Sequence, residues 1–378
     1  ALLLPGLTLV ISPLISLMQD QVKGLSAAGI PAAYINSALT ENQIAKALQL
    51  AAQGSYKIIY VAPERLESPT FQSFAASAEI SMLTVDEAHC ISQWGQDFRP
   101  SYLRILDFID SLPRRPIVSA FTATATREVK DDIAQTLRLR DPEIVITGFD
   151  RPNLYYRVET TRRKDAFVAD YVRSHPGESG IIYCATRKNV DAVQEMLRGE
   201  DIPVARYHAG MTNEERRQSQ NDFIYDAAPV IVATNAFGMG IDKSNVRYVI
   251  HYNMPQSMEN YYQEAGRAGR DGLPSQCILL FSPQDIVINR FLLDHKENDD
   301  LDDEAADLLR ARDNQRLQAM TNYCQTTGCL RNYILRYFGE EPAGPCGSCG
   351  NCDREFEEVD MTDSVIAIIF SPVLSFPT

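Results

Sequence analysis

The sequence predicts an α/β protein built from two parallel sheets in tandem, followed by a small helical module. Short runs of β-branched and aliphatic residues alternate with helix-like segments in residues 1–148, and a second such set follows in residues 180–281. Strands that alternate with helices are typical of βαβ units and of parallel sheets. After Pro283 the apolar residues recur at helical spacing, up to a stretch rich in cysteine and glycine.

The predicted strands of the first sheet are residues 7–11, 56–61, 80–85, 117–121 and 143–146. Those of the second sheet are residues 180–184, 204–207, 230–233, 248–252 and 277–281. Residues 150–153 (DRPN) form a predicted linker, because proline disfavours helix in the residue before it. Helical spacing is found in residues 314–324 and 330–338. We therefore predict domains at 1–149 and 150–282, a helical module at 283–360 and a tail at 361–378.

Composition restricts the partners that the chain can bind. The net charge of −14 argues against a uniformly basic nucleic-acid coat, although a local basic track remains compatible with it. The apolar start, residues 1–18, is interrupted by Pro5, Gly6 and Pro13, which favours a buried strand with its turns over a membrane span. No secretion signal is recognised, and the eight cysteines do not by themselves imply disulfides.

The sequence VDEAH, residues 85–89, is the first candidate for chemistry. A buried strand that ends in Asp86 and Glu87 places two acids at the carboxyl edge of a parallel sheet, where nucleotide-hydrolysing folds hold their metal and water. Asp86 would hold Mg²⁺ and Glu87 would activate the attacking water, while His89 would relay the state of the nucleotide. Such a pair is also common at a solvated strand end, so the other motifs decide.

Further segments have the same form, and together they resemble a RecQ-type DNA helicase of helicase superfamily 2. They are VISPLISLMQDQV (10–22), VAPERL (61–66), SAFTATAT (119–126), YHAGM (207–211), ATNAFGMGID (233–242) and QEAGRAGR (263–270). The resemblance implies two RecA-like domains with a nucleotide cleft between them. It also implies ATP and Mg²⁺ as ligands, and single-stranded and partly duplex DNA as partner.

The resemblance assigns roles to residues of these motifs. Arg270 is the expected arginine finger for the γ-phosphate, and Arg267 is expected to assist it or to pair with an acid. Gln263, Gly240 and Asp242 are expected to face the nucleotide. Ser12 and Thr234 are expected to contact the nucleic-acid backbone, although each side chain could equally cap a helix or a turn.

The loop that follows the acids, QWGQDFRP of residues 93–100, holds the only tryptophan. Trp94, Phe98 and Arg99 can stack on unpaired bases with little sequence preference. The alternative is that Trp94 packs in the core. The similarity to the aromatic-rich loop of RecQ proteins favours DNA binding coupled to Glu87.

No stretch of the 378 residues matches the phosphate-binding pattern G-x-x-x-x-G-K-[ST], and GMGIDKS (238–244) lacks its spacing. The family places this loop just before residue 1, together with an adenine-reading glutamine segment. We interpret the sequence as incomplete at its N-terminus and expect the polypeptide as printed to hydrolyse ATP poorly.

The spacing C-x₂-C-x₂-C at Cys346, Cys349 and Cys352 predicts a metal site on a glycine-rich loop. Tetrahedral zinc held by four thiolates is a closed, structural site. The resemblance implies that Cys329 is the fourth ligand, with Cys324 as the rival. An iron–sulfur cluster is the alternative metal centre.

The expected function is an ATP-dependent DNA helicase that moves 3′→5′ in recombination and repair, as a monomer in the bacterial cytoplasm at the nucleoid. The alternatives are an RNA helicase of the same superfamily and a non-enzymatic, zinc-stabilised DNA-binding remnant. The family continues into a winged-helix domain that does not fit in residues 361–378, so strand separation by this polypeptide alone is not expected.

Overall fold

The computed structural model describes residues 1–92, 95, 97–238, 243–295 and 303–354. The first domain contains β1 (Leu7–Ile11), α1 (Ile15–Ala27), β2 (Ala32–Ile35), α2 (Glu41–Ala52), β3 (Ile58–Val61), α3 (Pro69–Ser77), β4 (Ile80–Val85), α4 (Pro100–Ser111), β5 (Ile117–Ala120) and α5 (Arg127–Thr136). Its five strands are parallel in the order β2-β3-β1-β4-β5.

Burial explains why these segments form the centre of the first domain. Leu9, Ile11, Leu83 and Val85 are fully buried, because β1 and β4 are covered on both faces by helices. Parallel pairing then brings the ends of both strands to one edge, with Ile11 beside Val85. The residues after β1 and β4 therefore meet there.

The second domain contains β6 (Leu154–Thr160), α6 (Lys164–Ser174), β7 (Ser179–Tyr183), α7 (Arg187–Arg198), β8 (Val204–Tyr207), α8 (Asn213–Ile224), β9 (Val230–Ala233), β10 (Val246–His251), α9 (Met258–Ala265) and β11 (Ser275–Phe281). Its six strands are parallel in the order β6-β11-β10-β7-β9-β8. The central strand β7 is entirely buried.

The helical module contains α10 (Pro283–Asp294), α11 (Asp303–Gln325) and α12 (Leu330–Tyr337). It has no separate core among the described residues, because Tyr323, Leu330 and Phe338 belong to the same buried cluster as Tyr261 of α9. The hydroxyls of Tyr323 and Tyr261 lie 3.2 Å apart in the interior. The module is therefore packed onto the second domain.

The predicted fold class is confirmed, with one wrong strand. Residues 143–146 form no strand, and Ile144, Val145 and Ile146 are more than half exposed. The run has strand composition, but it pairs with no neighbour among the described residues. Strands β2 and β6 were not predicted. No helix in the described part of the chain is long and apolar enough to span a bilayer.

Candidate active site and metal centre

Asp86 is held at the carboxyl edge of the first sheet by backbone and side-chain bonds. Its N–H donates to the Ile11 carbonyl at 2.8 Å, which continues the β1–β4 ladder by one residue. Its carboxylate accepts from the Ser12 hydroxyl at 3.1 Å and from the Glu87 N–H at 3.0 Å. Burial raises the pKa of Asp86, and these two donors oppose the shift. One acid is thus fixed in place with free lone pairs that suit a metal or its waters.

Glu87 adopts an unusual backbone conformation. Its φ of 47° and ψ of 47° lie in the left-handed region, which a non-glycine residue occupies at a cost of roughly 1–3 kcal/mol. The following N–H, of Ala88, donates to the Phe121 carbonyl at 2.9 Å after β5. The turn therefore directs Glu87 away from its strand and into the space beside the sheet edge.

The Glu87 carboxyl group is buried and carries a strongly shifted pKa. Burial and then the neighbouring Asp86 charge raise its pKa to about 7, while Arg267 opposes the shift. Its Oε2 has no hydrogen-bond partner in the described structure and lies 3.3 Å from His89 Nδ1. A carboxylate that titrates near neutral pH and has an unused oxygen is suited to accept a proton from water.

His89 links the acids to the segment after β5. Its Nδ1 lies 3.0 Å from the Thr122 hydroxyl, and its side chain is almost fully buried. Burial lowers the pKa of His89 to about 4, so the ring is neutral at physiological pH. A neutral histidine between Glu87 and Thr122 contributes no charge to the site.

The second domain faces these acids across a cleft of about 290 Å³. In the first domain the cleft is lined by the segments after β1 and β4 and by part of the loop before α4, and in the second by the loop after β9 and by α9 with its flanking residues. The lining residues are Pro13, Glu87, His89, Cys90, Asp97, Arg99, Asn235, Ala236, Gln256, Asn260, Gln263, Glu264 and Arg267. Residues from the ends of both sheets, among them Glu87, Gln263 and Arg267, thus meet at one site.

Arg267 is buried and held by the loop after β9. Its guanidinium donates to the Gly238 carbonyl and to the Tyr183 hydroxyl. The Tyr183 hydroxyl in turn donates to the Phe237 carbonyl at 3.1 Å. Gly238 has a φ of +130°, and a Cβ there would lie 2.3 Å from Arg267 Cζ. Only glycine allows the guanidinium to lie this close to the loop.

Arg270 lies elsewhere. It is exposed and does not line the cleft, although it contributes to the electrostatic environment of Tyr183. Gly269, between the two arginines, has a φ of +57°, and a Cβ there would lie 2.4 Å from the Asn153 side chain. The predicted nucleotide-facing residues Gly240 and Asp242 lie outside the described residues.

The residues predicted to contact nucleic acid differ in their burial and in their contacts. Ser12 is fully buried with its hydroxyl engaged by Asp86, and Thr234 is 8% exposed at the end of β9. In this arrangement Ser12 supports the acid site. Arg99 pairs with Asp97 at 2.8 Å and lines the cleft, Phe98 is half-buried, and Trp94 lies outside the described residues.

The four sulfur atoms of Cys329, Cys346, Cys349 and Cys352 lie within 4.8 Å of one another. The pairs 329–349 and 346–352 are separated by 4.0 and 3.9 Å. Tetrahedral zinc with Zn–S bonds of about 2.3 Å places its sulfurs roughly 3.8 Å apart, so the spacing fits. Burial disfavours the Cys349 thiolate, but backbone N–H donors outweigh it and lower its pKa to about 7. Cys324 is buried and not part of the cluster.

Several polar residues near the cleft were not predicted from the sequence. His251 is fully buried, with Nε2 2.9 Å from Glu264 Oε2, and its ring stacks on Tyr183. Arg316 of α11 donates at 2.8 Å to the carbonyl of Gly95, which belongs to the loop of residues 93–100, called the aromatic loop below. A buried histidine on a central strand carries no sequence signal of its own, and a helical arginine that reaches another domain resembles any surface arginine.

Three family models match the chain in order. They are the DEAD/DEAH box helicase domain at residues 3–132, the helicase conserved C-terminal domain at 163–272 and the RecQ zinc-binding domain at 283–353. The third model coincides with the helices and the cysteine cluster of the module.

Curated relatives agree with these matches. The chain is 48% identical to the ATP-dependent DNA helicase RecQ of Bacillus subtilis, over 90% of this chain and 56% of the relative. It is 41% identical to the protein of that name from Pasteurella multocida, over 91% and 53%. It is 39% identical to the ATP-dependent helicase SGS1 of Saccharomyces cerevisiae, over 89% and 23%. The chain spans about half the length of the bacterial relatives it matches.

Solved structures support the fold. S. cerevisiae Dbp5 bound to RNA and ADP BeF₃ matches with a TM-score of 0.60 at 18% identity, covering 81% of this chain and 81% of that one. Mss116p bound to ssRNA and AMP-PNP gives 0.61 at 17%, covering 77% and 62%.

A DEAD/DEAH box helicase domain followed by a helicase conserved C-terminal domain defines the class of protein: a two-domain helicase core. The zinc-binding module that follows them, together with the identity to bacterial RecQ proteins, is specific to one branch of that class. The chain belongs to the RecQ helicase family.

Proposed function

We propose that this protein hydrolyses ATP in the cleft between its two α/β domains and uses the cycle to move 3′→5′ along single-stranded DNA, in recombination and repair. The observation that carries the proposal is the buried Glu87, with a pKa of about 7, opposite Arg267 of the other domain. A base on one domain and a cation on the other make hydrolysis depend on how the two domains meet.

Asp86 is the proposed holder of Mg²⁺, mostly through water. Its carboxylate is fixed by Ser12 and by the Glu87 N–H, which leaves lone pairs for further ligands. When bound, Mg²⁺ neutralises charge on the phosphate oxygens of ATP.

Glu87 is the proposed general base. The water to be activated would lie on the cleft side of the Glu87 carboxylate, since Glu87 lines the cleft. The neutral His89 orients the carboxylate from one side and touches Thr122, which offers a route by which the segment after β5 senses the nucleotide.

The two arginines have separate proposed roles. Arg267 already lies in the cleft and stabilises the ionised form of Glu87. Arg270, exposed on the same loop, is proposed as the arginine finger that reaches the γ-phosphate when the domains close. Groups of this kind contribute roughly 10³–10⁵ in rate to phosphate hydrolysis. Gln263, which lines the cleft, and Gly240 and Asp242 are proposed to contact the nucleotide.

DNA is the proposed track, gripped by the aromatic loop with Trp94, Phe98 and Arg99 and by backbone contacts that include Thr234. Arg99 and Glu87 line the same cleft. A DNA base that stacks on this loop would therefore change the surroundings of the proposed general base, which would couple DNA binding to hydrolysis. Zinc in the four-cysteine cluster is proposed as a structural ion, and a colourless protein that releases one zinc per chain would exclude an iron–sulfur cluster.

The test is the rate of ATP hydrolysis by the protein as its gene encodes it, with single-stranded DNA, with RNA and with neither. The proposal predicts strong stimulation by DNA and little by RNA. Stimulation by RNA alone would favour an RNA helicase. Binding to DNA with no hydrolysis would favour a non-enzymatic DNA-binding protein.

A further inference from the structure

The segment that joins the two α/β domains, residues 149–154, is bound along its length by the second domain and the zinc module. Phe149 stacks on Phe338, with ring centroids 4.3 Å apart, and its N–H donates to Glu340 Oε1 at 2.6 Å. Its carbonyl accepts from the Tyr262 hydroxyl at 3.0 Å. The contacts come from both sides, from α9 and from the end of α12.

Arg331 of α12 holds the next residues. Its side chain is 7% exposed, and its guanidinium donates to Asp150 Oδ1 at 2.7 Å and to the Leu154 carbonyl at 2.7 Å. It also donates to the Arg151 carbonyl at 2.6 Å and contacts the sulfur of Cys346. One buried cation therefore joins a ligand of the metal centre to the interdomain segment.

Arg151 continues this chain of contacts toward the cleft. Its guanidinium donates to the carbonyls of Gly266, Ala268 and Gly269, at 3.4, 3.2 and 3.1 Å. These carbonyls are on both sides of Arg267 and immediately precede Arg270. Fixing them fixes the backbone from which both arginines project.

The chain before this segment is held differently. Residues 143–147 have no regular structure and expose Ile144, Val145 and Ile146, and Gly148 has a φ of +86°. The change from an exposed strand-like run to a bound segment occurs at Gly148 and Phe149.

We propose that Arg331 and Arg151 are positioning residues that make residues 149–154 a part of the second domain and couple the metal centre to Arg267 and Arg270. The two domains then hinge at residues 143–148. Loss of the metal, or of either guanidinium, loosens the segment and moves the arginine loop. The effect on hydrolysis rests on the function proposed above, whereas the effect on the linker does not.

The test compares Arg331→Gln and Arg151→Gln with the unmodified protein by hydrogen–deuterium exchange and steady-state hydrolysis. We expect faster exchange in peptides that cover 149–154 and 266–270, in Arg331→Gln and in zinc-stripped protein. In Arg331→Gln and Arg151→Gln we expect kcat to fall at least tenfold, while KM for ATP stays within about twofold of that of the unmodified protein. The reason is that a small misplacement of a catalytic group can cost up to about 10²-fold in rate. Arg331→Lys should restore part of the rate.

Arg115→Gln is the matched control. Arg115 donates to the Leu137 and Arg138 carbonyls at the end of α5, in the first domain, so the variant loses the same kind of bond outside residues 149–154. Unchanged exchange at 149–154 in both Arg331→Gln and zinc-stripped protein would overturn the proposal. Equal loss of kcat in Arg115→Gln and Arg331→Gln would also overturn it. If the unmodified protein does not hydrolyse ATP, the exchange data still decide the linker question.

Discussion

Glu87 has a buried carboxylate whose pKa is raised to about 7 by burial and by Asp86. A general base acts in its ionised form, so kcat/KM for ATP should rise about tenfold between pH 6 and pH 8 and then level off. The measurement is the pH profile of DNA-stimulated hydrolysis. A flat profile over this range would contradict the assignment.

Arg267 opposes that shift, because its positive charge favours the ionised Glu87. Arg267→Gln should therefore move the rising limb of the profile to higher pH, in addition to lowering the rate. Arg247→Gln, which removes a cation paired with Asp271 in the same domain, should leave the limb in place. An unmoved limb in Arg267→Gln would mean that the two groups are not coupled.

The buried negative charge of Glu87 also lowers the stability of the fold. A carboxyl whose pKa is raised from 4.5 to about 7 destabilises the fold above pH 7, and this cost disappears below pH 4.5. Glu87→Gln should stabilise the protein at pH 8 by about 3 kcal/mol and have little effect near pH 4.5. Thermal unfolding at the two pH values measures the difference, with the exposed Glu195→Gln as control.

Individual residues were predictable from the sequence where a motif fixes their place on a strand. Asp86 and Glu87 lie at the end of β4 as expected, since a buried strand determines where its next residue emerges. The position of the Arg267 guanidinium was not predictable. It depends on the carbonyl of Gly238 and on the ring of Tyr183, which become neighbours only through the order of the strands in the second sheet.

At the scale of elements, the central strands were predictable from their composition, whereas two of the four edge strands of the described sheets, β2 and β6, were not. Strands β1, β4, β8 and β9 begin and end at the predicted residues. Strand β6 was missed because its alternation of apolar and polar residues follows directly after the linker. The structure explains it as an edge strand whose outer side is covered by the cysteine loop, where the Gly350 N–H donates to the Tyr156 carbonyl at 2.8 Å.

The cysteine loop should depend on its metal. Replacing Cys349 with serine removes a buried ligand, so the variant should lose zinc and unfold at a lower temperature, because metal binding contributes directly to folding. Cys277→Ser, at a buried cysteine outside the cluster, is the control for burying a hydroxyl. Metal analysis and thermal unfolding give the result, and full retention of zinc by Cys349→Ser would contradict the four-cysteine site.

At the scale of the whole molecule, the acids belong to one domain and Arg267 and Arg270 to the other, so the proposed hydrolysis depends on how the two domains meet. The two-domain architecture was predictable because each sheet carries its own set of βα units. The way in which the helical module joins the two domains was not predictable. Arg331 and Arg151 bind backbone carbonyls, and every residue has one, so no residue pattern indicates these bonds.

The most direct test of the account is DNA-stimulated ATP hydrolysis by Glu87→Gln beside Glu195→Gln and the unmodified protein, with ATP and DNA binding measured on the same samples. The account predicts that Glu87→Gln binds ATP and DNA normally and loses at least about 10²-fold in kcat, as removal of a general base does. The control should retain full activity. Hydrolysis by Glu87→Gln at the rate of the unmodified protein would contradict the claim that this cleft is the site of catalysis.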